Sequence, residues 1–296
     1  MVLNWAFAGL HCSPNQQKLY IVLDLNGLLL KRWNNKPSVE GVERCGNKWL
    51  KLRRGWAEFL VKLLNRFHVG IWSSMLRHNI NPIIKHMEHK LHMKLDFFVV
   101  WSGQECFQEI GFFNPDKPDV PAMFKRLSTL YFHSDYIGSV RPTNCLLIDD
   151  SPYKGCLNYL NTGIYPQTFN VSEAYDFLNG TLWPYLENIR GDNIMDYVEE
   201  HPFGQPQITT EHQDFNRFAP LIKQVGSMFW VKDGLPGGAS FNEKCNSKLK
   251  KCVGKVPRRG TPLSRGEIMV YSELYGMGKH AFTEYEGRKF VKTIFK

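Results

Sequence analysis

Residues 19–30 read Leu19-Tyr-Ile-Val-Leu-Asp-Leu-Asn-Gly-Leu-Leu-Leu30. The run before Asp24 is short, apolar and rich in residues that suit a strand buried in a parallel sheet. Gly27 marks a sharp turn directly after it. A carboxylate at the tip of such a strand projects into the crevice where open α/β sheets bind their ligands, which is the position of a nucleophile. Asn26 stands two residues further along, close enough to share that crevice.

Working outward, apolar segments recur at 18–25, 68–73, 95–101, 144–149 and 163–169, each short enough for a strand. Between the first two, Trp56, Phe59, Leu60, Leu63, Leu64 and Phe67 follow a helical period, as do Ile80, Ile83, Ile84, Met87 and Leu91 after the second. Both stripes are core faces. Strands alternating with amphipathic helices predict an α/β fold with a doubly wound, Rossmann-like parallel sheet.

The chain has 296 residues, 43% hydrophobic and 22% charged, enough for one sizeable core. No apolar run approaches the roughly 20 residues that a membrane span needs. Residues 1–15 read as an N-terminal arm without the flanks of a signal or transit peptide. The seven cysteines show no zinc-like pairing, and reduced thiols in an intracellular compartment account for them most simply. The net charge of +9 is uneven: residues 1–205 carry 21 Lys+Arg against 20 Asp+Glu, whereas residues 206–296 carry 16 against 8. This places a domain at 16–206 and a basic, partly irregular extension at 207–296. That extension suits nucleic acid, an acidic protein or plain solvation.

Polar residues follow four of the apolar segments. Asp24 ends the first, Ser73 follows Val69-Gly-Ile-Trp72, Lys117 precedes Pro118 at an expected helix start, and Asp149-Asp150 closes Cys145-Leu-Leu-Ile148. Together they fit phosphoryl transfer: a carboxylate to attack phosphorus, a hydroxyl and an ammonium to hold the transferred oxygens, and acids to bind Mg²⁺. Lys125 is a second lysine candidate. With a helix beginning at Pro118 or Pro121, Lys117 lies at its mouth and Lys125 reads as a solvated face one to two turns in.

This order resembles the haloacid dehalogenase (HAD) superfamily, specifically its Fcp homology branch, which includes phosphatases of the RNA polymerase II C-terminal domain. Asp24-Leu-Asn-Gly-Leu28 stands for the Asp-x-Asp-x-Thr motif, Trp72-Ser-Ser74 for the second motif, and Leu146-Leu-Ile-Asp-Asp-Ser-Pro-Tyr-Lys154 for the last. Leu50-Lys-Leu-Arg-Arg-Gly-Trp-Ala-Glu-Phe-Leu60 is similar to an Arg-Pro-Gly helix entry with Arg54 replacing the proline, and Tyr197-Val-Glu-Glu-His-Pro-Phe-Gly204 looks like the end of the domain in plant-type members. The resemblance implies a HAD-type sheet with a short β flap around 42–52 and no large cap.

It also implies that Asp24 forms an aspartyl-phosphate, that Ser73 holds a phosphate oxygen, and that Lys117 or Lys125 supplies the ammonium. Mg²⁺ would be held by Asp24, Asp150 and the backbone carbonyl of Asn26, with Asp149 orienting the lysine. Two positions depart from the pattern. The second aspartate, which protonates the leaving group and activates water, is Asn26, and Leu28 replaces the threonine of the turn.

The expected function is therefore a weak Mg²⁺-dependent phosphoprotein phosphatase. The alternative is an inactive scaffold that binds phosphate or peptide, and a third reading is a binding platform like the mitochondrial import-translocase receptor. The expected partner is a phosphorylated protein or peptide such as the RNA polymerase II C-terminal domain, met on a shallow surface; Trp33, Trp49 and Trp101 are candidates to line it, but each reads first as a packed side chain. Nucleus or cytoplasm is the expected setting, with the mitochondrion entering only if the N-terminus is truncated.

Overall fold

The computed structural model describes residues 19–131, 133–189, 193–226, 282–285 and 288–291. The arm at 1–15 lies outside these, as does most of the basic extension. In chain order the first elements are β1 (Tyr20–Leu23), a flap of β2 (Leu30–Trp33), β3 (Glu43–Cys45) and β4 (Lys48–Leu52), then α1 (Trp56–Arg66), β5 (His68–Trp72) and α2 (Arg77–Leu91). There follow β6 (Val100–Trp101), a hairpin of β7 (Phe113–Asn114) and β8 (Lys117–Pro121), α3 (Ser128–Tyr131), β9 (Cys145–Ile148) and β10 (Gly163–Ile164). Helices α4 (Trp183–Glu187), α5 (Ile194–Glu200) and α6 (Phe215–Gly226) come next, then an antiparallel pair, β11 (Phe282–Tyr285) and β12 (Arg288–Val291).

Five strands form one sheet in the order β10-β9-β1-β5-β6. Every pairing is parallel. All five apolar segments of the sequence are represented, although β6 and β10 are shorter than expected. The strand order reverses at β1, so the crevice at its carboxyl end is where an α/β fold gathers a site.

The alternation of the strands sorts their side chains onto two faces. Ile21, Leu23, Val69, Ile71, Leu146 and Ile148 enter the larger core with α1, α2, α4 and α5, while Val22, Trp72, Cys145 and Leu147 meet Leu127, Leu130 and Tyr131 of the α3 region on the other side. The flap is a three-stranded antiparallel sheet in the order β2-β4-β3. No helix among the described residues is long and apolar enough to cross a membrane.

Two local expectations fail. The prolines at 118 and 121 start no helix; they lie in β8, all five residues of which are exposed. Proline is tolerated on such an edge strand, where its missing N–H faces solvent. The packing also continues past residue 206: Ile208, Phe218, Leu221 and Ile222 are buried with Ala122, Phe124, Tyr153, Cys156 and Leu157. Phe218 stacks on Tyr153 at 6.0 Å between ring centroids and meets Phe124 edge-on at 5.7 Å. Charge counts cannot register this contact, because it rests on an apolar helix face within a basic segment.

Candidate active site

The β1 strand ends in a turn that only glycine can make as drawn. Gly27 has φ +101°, and a Cβ there would lie 2.0 Å from an oxygen of Asp150. Positive φ and this close approach both exclude other side chains. Around the turn, Leu29 and Leu30 N–H groups donate to the Leu25 carbonyl. The buried Arg53 donates to the Leu28 carbonyl and to Glu173. Leu28 itself is fully buried in the core. The turn is thus held by backbone and Arg53 contacts where the family motif has a threonine.

Asp24, Ser73, Asp149 and Asp150 all come to the carboxyl ends of β1, β5 and β9, and all are buried. Oxygens of Asp24, Asp149 and Asp150 lie within 4.8 Å of one another. Into this cluster comes Lys125, completely buried, with Nζ 2.7 Å from Asp24 Oδ1 and 2.5 Å from Asp149 Oδ2. Lys117 is exposed in the β7–β8 hairpin and takes no part.

The burial of Lys125 follows from local structure: Phe124 bridges Phe107 in extended conformation, and alternation buries Ala122 and Phe124 in one cluster while turning Lys125 to the carboxylates. The solvated helix face expected for it does not exist. That period of two in Ala122-Met-Phe-Lys125 was the available signal.

A second lysine was missed. Lys154 Nζ donates to Asp149 Oδ1 at 2.9 Å and lies 3.8 Å from Asp24 and 3.7 Å from Asp150. The two lysines are locked side by side, since Lys125 N–H donates to the Lys154 carbonyl and Asn158 Nδ2 donates to the Lys125 carbonyl. Thr168 Oγ1 donates to Asp150 Oδ2 at 2.8 Å, and Gln205 Nε2 donates to the Asp150 carbonyl at 2.7 Å. Lys154 was legible from its spacing of five residues after Asp149; Thr168 and Gln205 had no sequence signal. Trp101 is buried edge-on against Trp72 at 4.8 Å and lines no surface.

Asn26 is turned toward the flap. Its Oδ1 accepts from the Arg32 N–H at 3.0 Å, tying the loop after β1 to β2. The hydroxyl oxygen of Ser73 accepts from the Met75 N–H at 3.3 Å, which leaves its proton free to donate.

Three carboxylates face two ammonium groups, so one negative charge is uncompensated. Burial pushes the Asp149 carboxyl up, but Lys125 and Lys154 outweigh it and hold that group below its ordinary range. Asp150 carries the residue: burial, then the charges of Asp149 and Asp24, raise it from 3.8 to about 6. Hard oxygen ligands with a net negative charge fit Mg²⁺. A raised carboxyl favours folding while protonated, so this contribution is lost as pH rises through about 6. A cation replacing that proton restores it. The gain in melting temperature on adding Mg²⁺ should therefore be larger at pH 7 than at pH 5; thermal shift at both values checks this, and equal gains would contradict it.

A HAD-type α/β sheet with an aspartate-lysine cluster at the end of its first strand defines the class. The model of the NLI interacting factor-like phosphatase family matches residues 19–197, more than half the chain, and the protein belongs to that family, in the Fcp homology branch of the HAD superfamily. None of the curated proteins matches it. Among solved structures, the RNA polymerase II CTD phosphatase Fcp1 of fission yeast, bound to beryllium fluoride, is 14% identical with a TM-score of 0.35, over 88% of this chain and 62% of that one. A structure of Fcp1 described as an essential RNA polymerase II CTD phosphatase is 12% identical with a TM-score of 0.36, over 86% and 70%. The chain thus spans less than two thirds of the first of these.

Proposed function

We propose that the protein is a Mg²⁺-dependent phosphoprotein phosphatase with slow turnover. One observation carries this reading: Lys125 and Lys154 converge on Asp24 and Asp149 at the carboxyl end of β1. In the reaction an Asp24 oxygen bonds to phosphorus as the bond to the substrate oxygen breaks. The Ser73 hydroxyl and the lysine ammonium groups steady the equatorial oxygens. Mg²⁺ bound through Asp24 and Asp150 would offset repulsion between the attacking carboxylate and the phosphate. Asn26 can neither protonate the departing oxygen nor deprotonate the water that must later attack the aspartyl-phosphate. A good leaving group departs without that help, so the first half-reaction is retained and the second is slow.

The short flap leaves room for a phosphorylated side chain on a peptide, and the substrate that the Fcp1 structures name, the RNA polymerase II C-terminal domain, is the first to try. The Asn26 bond to the flap favours a second reading, a phosphopeptide-binding scaffold without turnover. Phosphate release from an aryl phosphate and a phosphopeptide separates the two. Release by the wild type that vanishes with a chelator and in Asp24→Asn is the expected result; binding without release favours the scaffold.

A further inference from the structure

A second cluster, of two cationic side chains and a histidine, lies outside the aspartate-lysine site. Arg32 of β2, Lys48 of β4 and His78 in the first turn of α2 line one cleft between the flap and that helix, with Asn47, Asn79 and Pro82. No carboxylate lines it. Among the described residues, the side chains of Arg32, Lys48 and His78 make no hydrogen bond or ion pair. Burial lowers the Arg32 guanidinium from its ordinary value, an effect that the neighbouring Cys45 sulfur opposes in part, so part of its hydration is already lost with no carboxylate in the cleft to replace it.

The acid nearest in the flap is occupied elsewhere. Glu43 of β3 pairs with His86 at 2.9 Å and Lys90 at 2.8 Å, both on α2. Those pairs hold the flap against the helix, so the cleft is formed before anything binds, which reduces the ordering cost of binding. The cleft is coupled to the reaction centre through the chain itself, because the Arg32 N–H donates to Asn26.

We propose that this cleft is an accessory oxyanion subsite, which takes a second phosphate carried by the same peptide whose phosphorylated side chain enters the Asp24 site. An arginine fork, an ammonium and two amides are donors suited to a phosphate monoester. The selected substrate is then a multiply phosphorylated segment. This inference rests on the phosphatase reading for the occupant of the first site, but the cleft can be tested without turnover.

The test compares a singly phosphorylated peptide with a series carrying a second phosphate at successive positions on either side. Affinity is measured by calorimetry with Mg²⁺, using the full chain and its Arg32→Gln/Lys48→Gln variant. Two charge-assisted bonds predict that the best doubly phosphorylated peptide binds the wild type about tenfold or more tightly than the single, and that the variant loses this gain while binding the single peptide unchanged. Lys48→Gln alone, at a turn-proximal surface position, should lose part of the gain and guards against misfolding of the double variant.

Inorganic phosphate followed through the His78 ring signals in NMR provides the second arm. Signals that shift with free phosphate while the doubly phosphorylated peptides gain nothing would overturn the proposal, as would a gain that survives in both variants. Absence of hydrolysis in every protein, with the gain present in the wild type and lost in the double variant, would remove the phosphatase reading and leave the subsite standing.

Discussion

Asn26→Asp should raise aryl-phosphate hydrolysis by about 10²-fold or more, the range that general acid–base help supplies. The substitution fits the geometry. An aspartate oxygen can still accept the Arg32 N–H that Asn26 Oδ1 now takes at 3.0 Å, so the link between the loop and the flap is preserved. Its second oxygen gains what the amide lacks, a proton to give to the leaving oxygen and a lone pair to take one from water. Steady-state kinetics of the two proteins side by side check this, with a control for chemistry in storage. Asn26-Gly27 is prone to deamidation, so mass spectrometry of the assayed sample must show an intact amide in the wild type. A verified Asn26→Asp protein that binds Mg²⁺ but remains inactive would move the case to the scaffold.

Lys125→Met should be the most damaging single change. It leaves Asp24 and Asp149 in a buried site with only Lys154 to balance them, and removing one partner of a buried pair typically costs about 3–5 kcal/mol. Chemical denaturation measures that loss, and activity should fall to background even where the protein remains folded. Lys117→Ala is the matched control. Lys117 is exposed on β8, and surface changes of this kind stay within about 0.5 kcal/mol, with activity unchanged. Equal tolerance of both substitutions would mean that the ammonium groups do not serve the site.

The contrast between these lysines shows what the chain revealed directly. Asp24, Ser73, Asp149 and Asp150 were legible because each follows a strand whose apolar run is written in consecutive residues, and a parallel sheet brings such strand ends together. Lys125 arrives from a connection, where prolines suggested a helix and the decisive cue was two alternate buried residues, Ala122 and Phe124. Thr168 and Gln205 reach Asp150 from segments with no periodic pattern. The contribution of α6 was hidden differently: its buried Phe218, Leu221 and Ile222 lie in a region whose charge argued for solvent.

The proposed function requires that phosphoryl transfer to Asp24 survive while hydrolysis of the aspartyl-phosphate is impaired, and trapping that intermediate puts this to the test. An activated aryl phosphate is mixed with the Mg²⁺-loaded wild type, quenched in acid at short times and digested for peptide mass spectrometry. The expected result is a burst of phenol release matched by one phosphoryl group on the peptide containing Asp24, followed by slow turnover. Asn26→Asp should show less accumulated phospho-enzyme and faster turnover. Mg²⁺-loaded wild type that shows neither a burst nor a phosphoryl group on Asp24 would contradict the account.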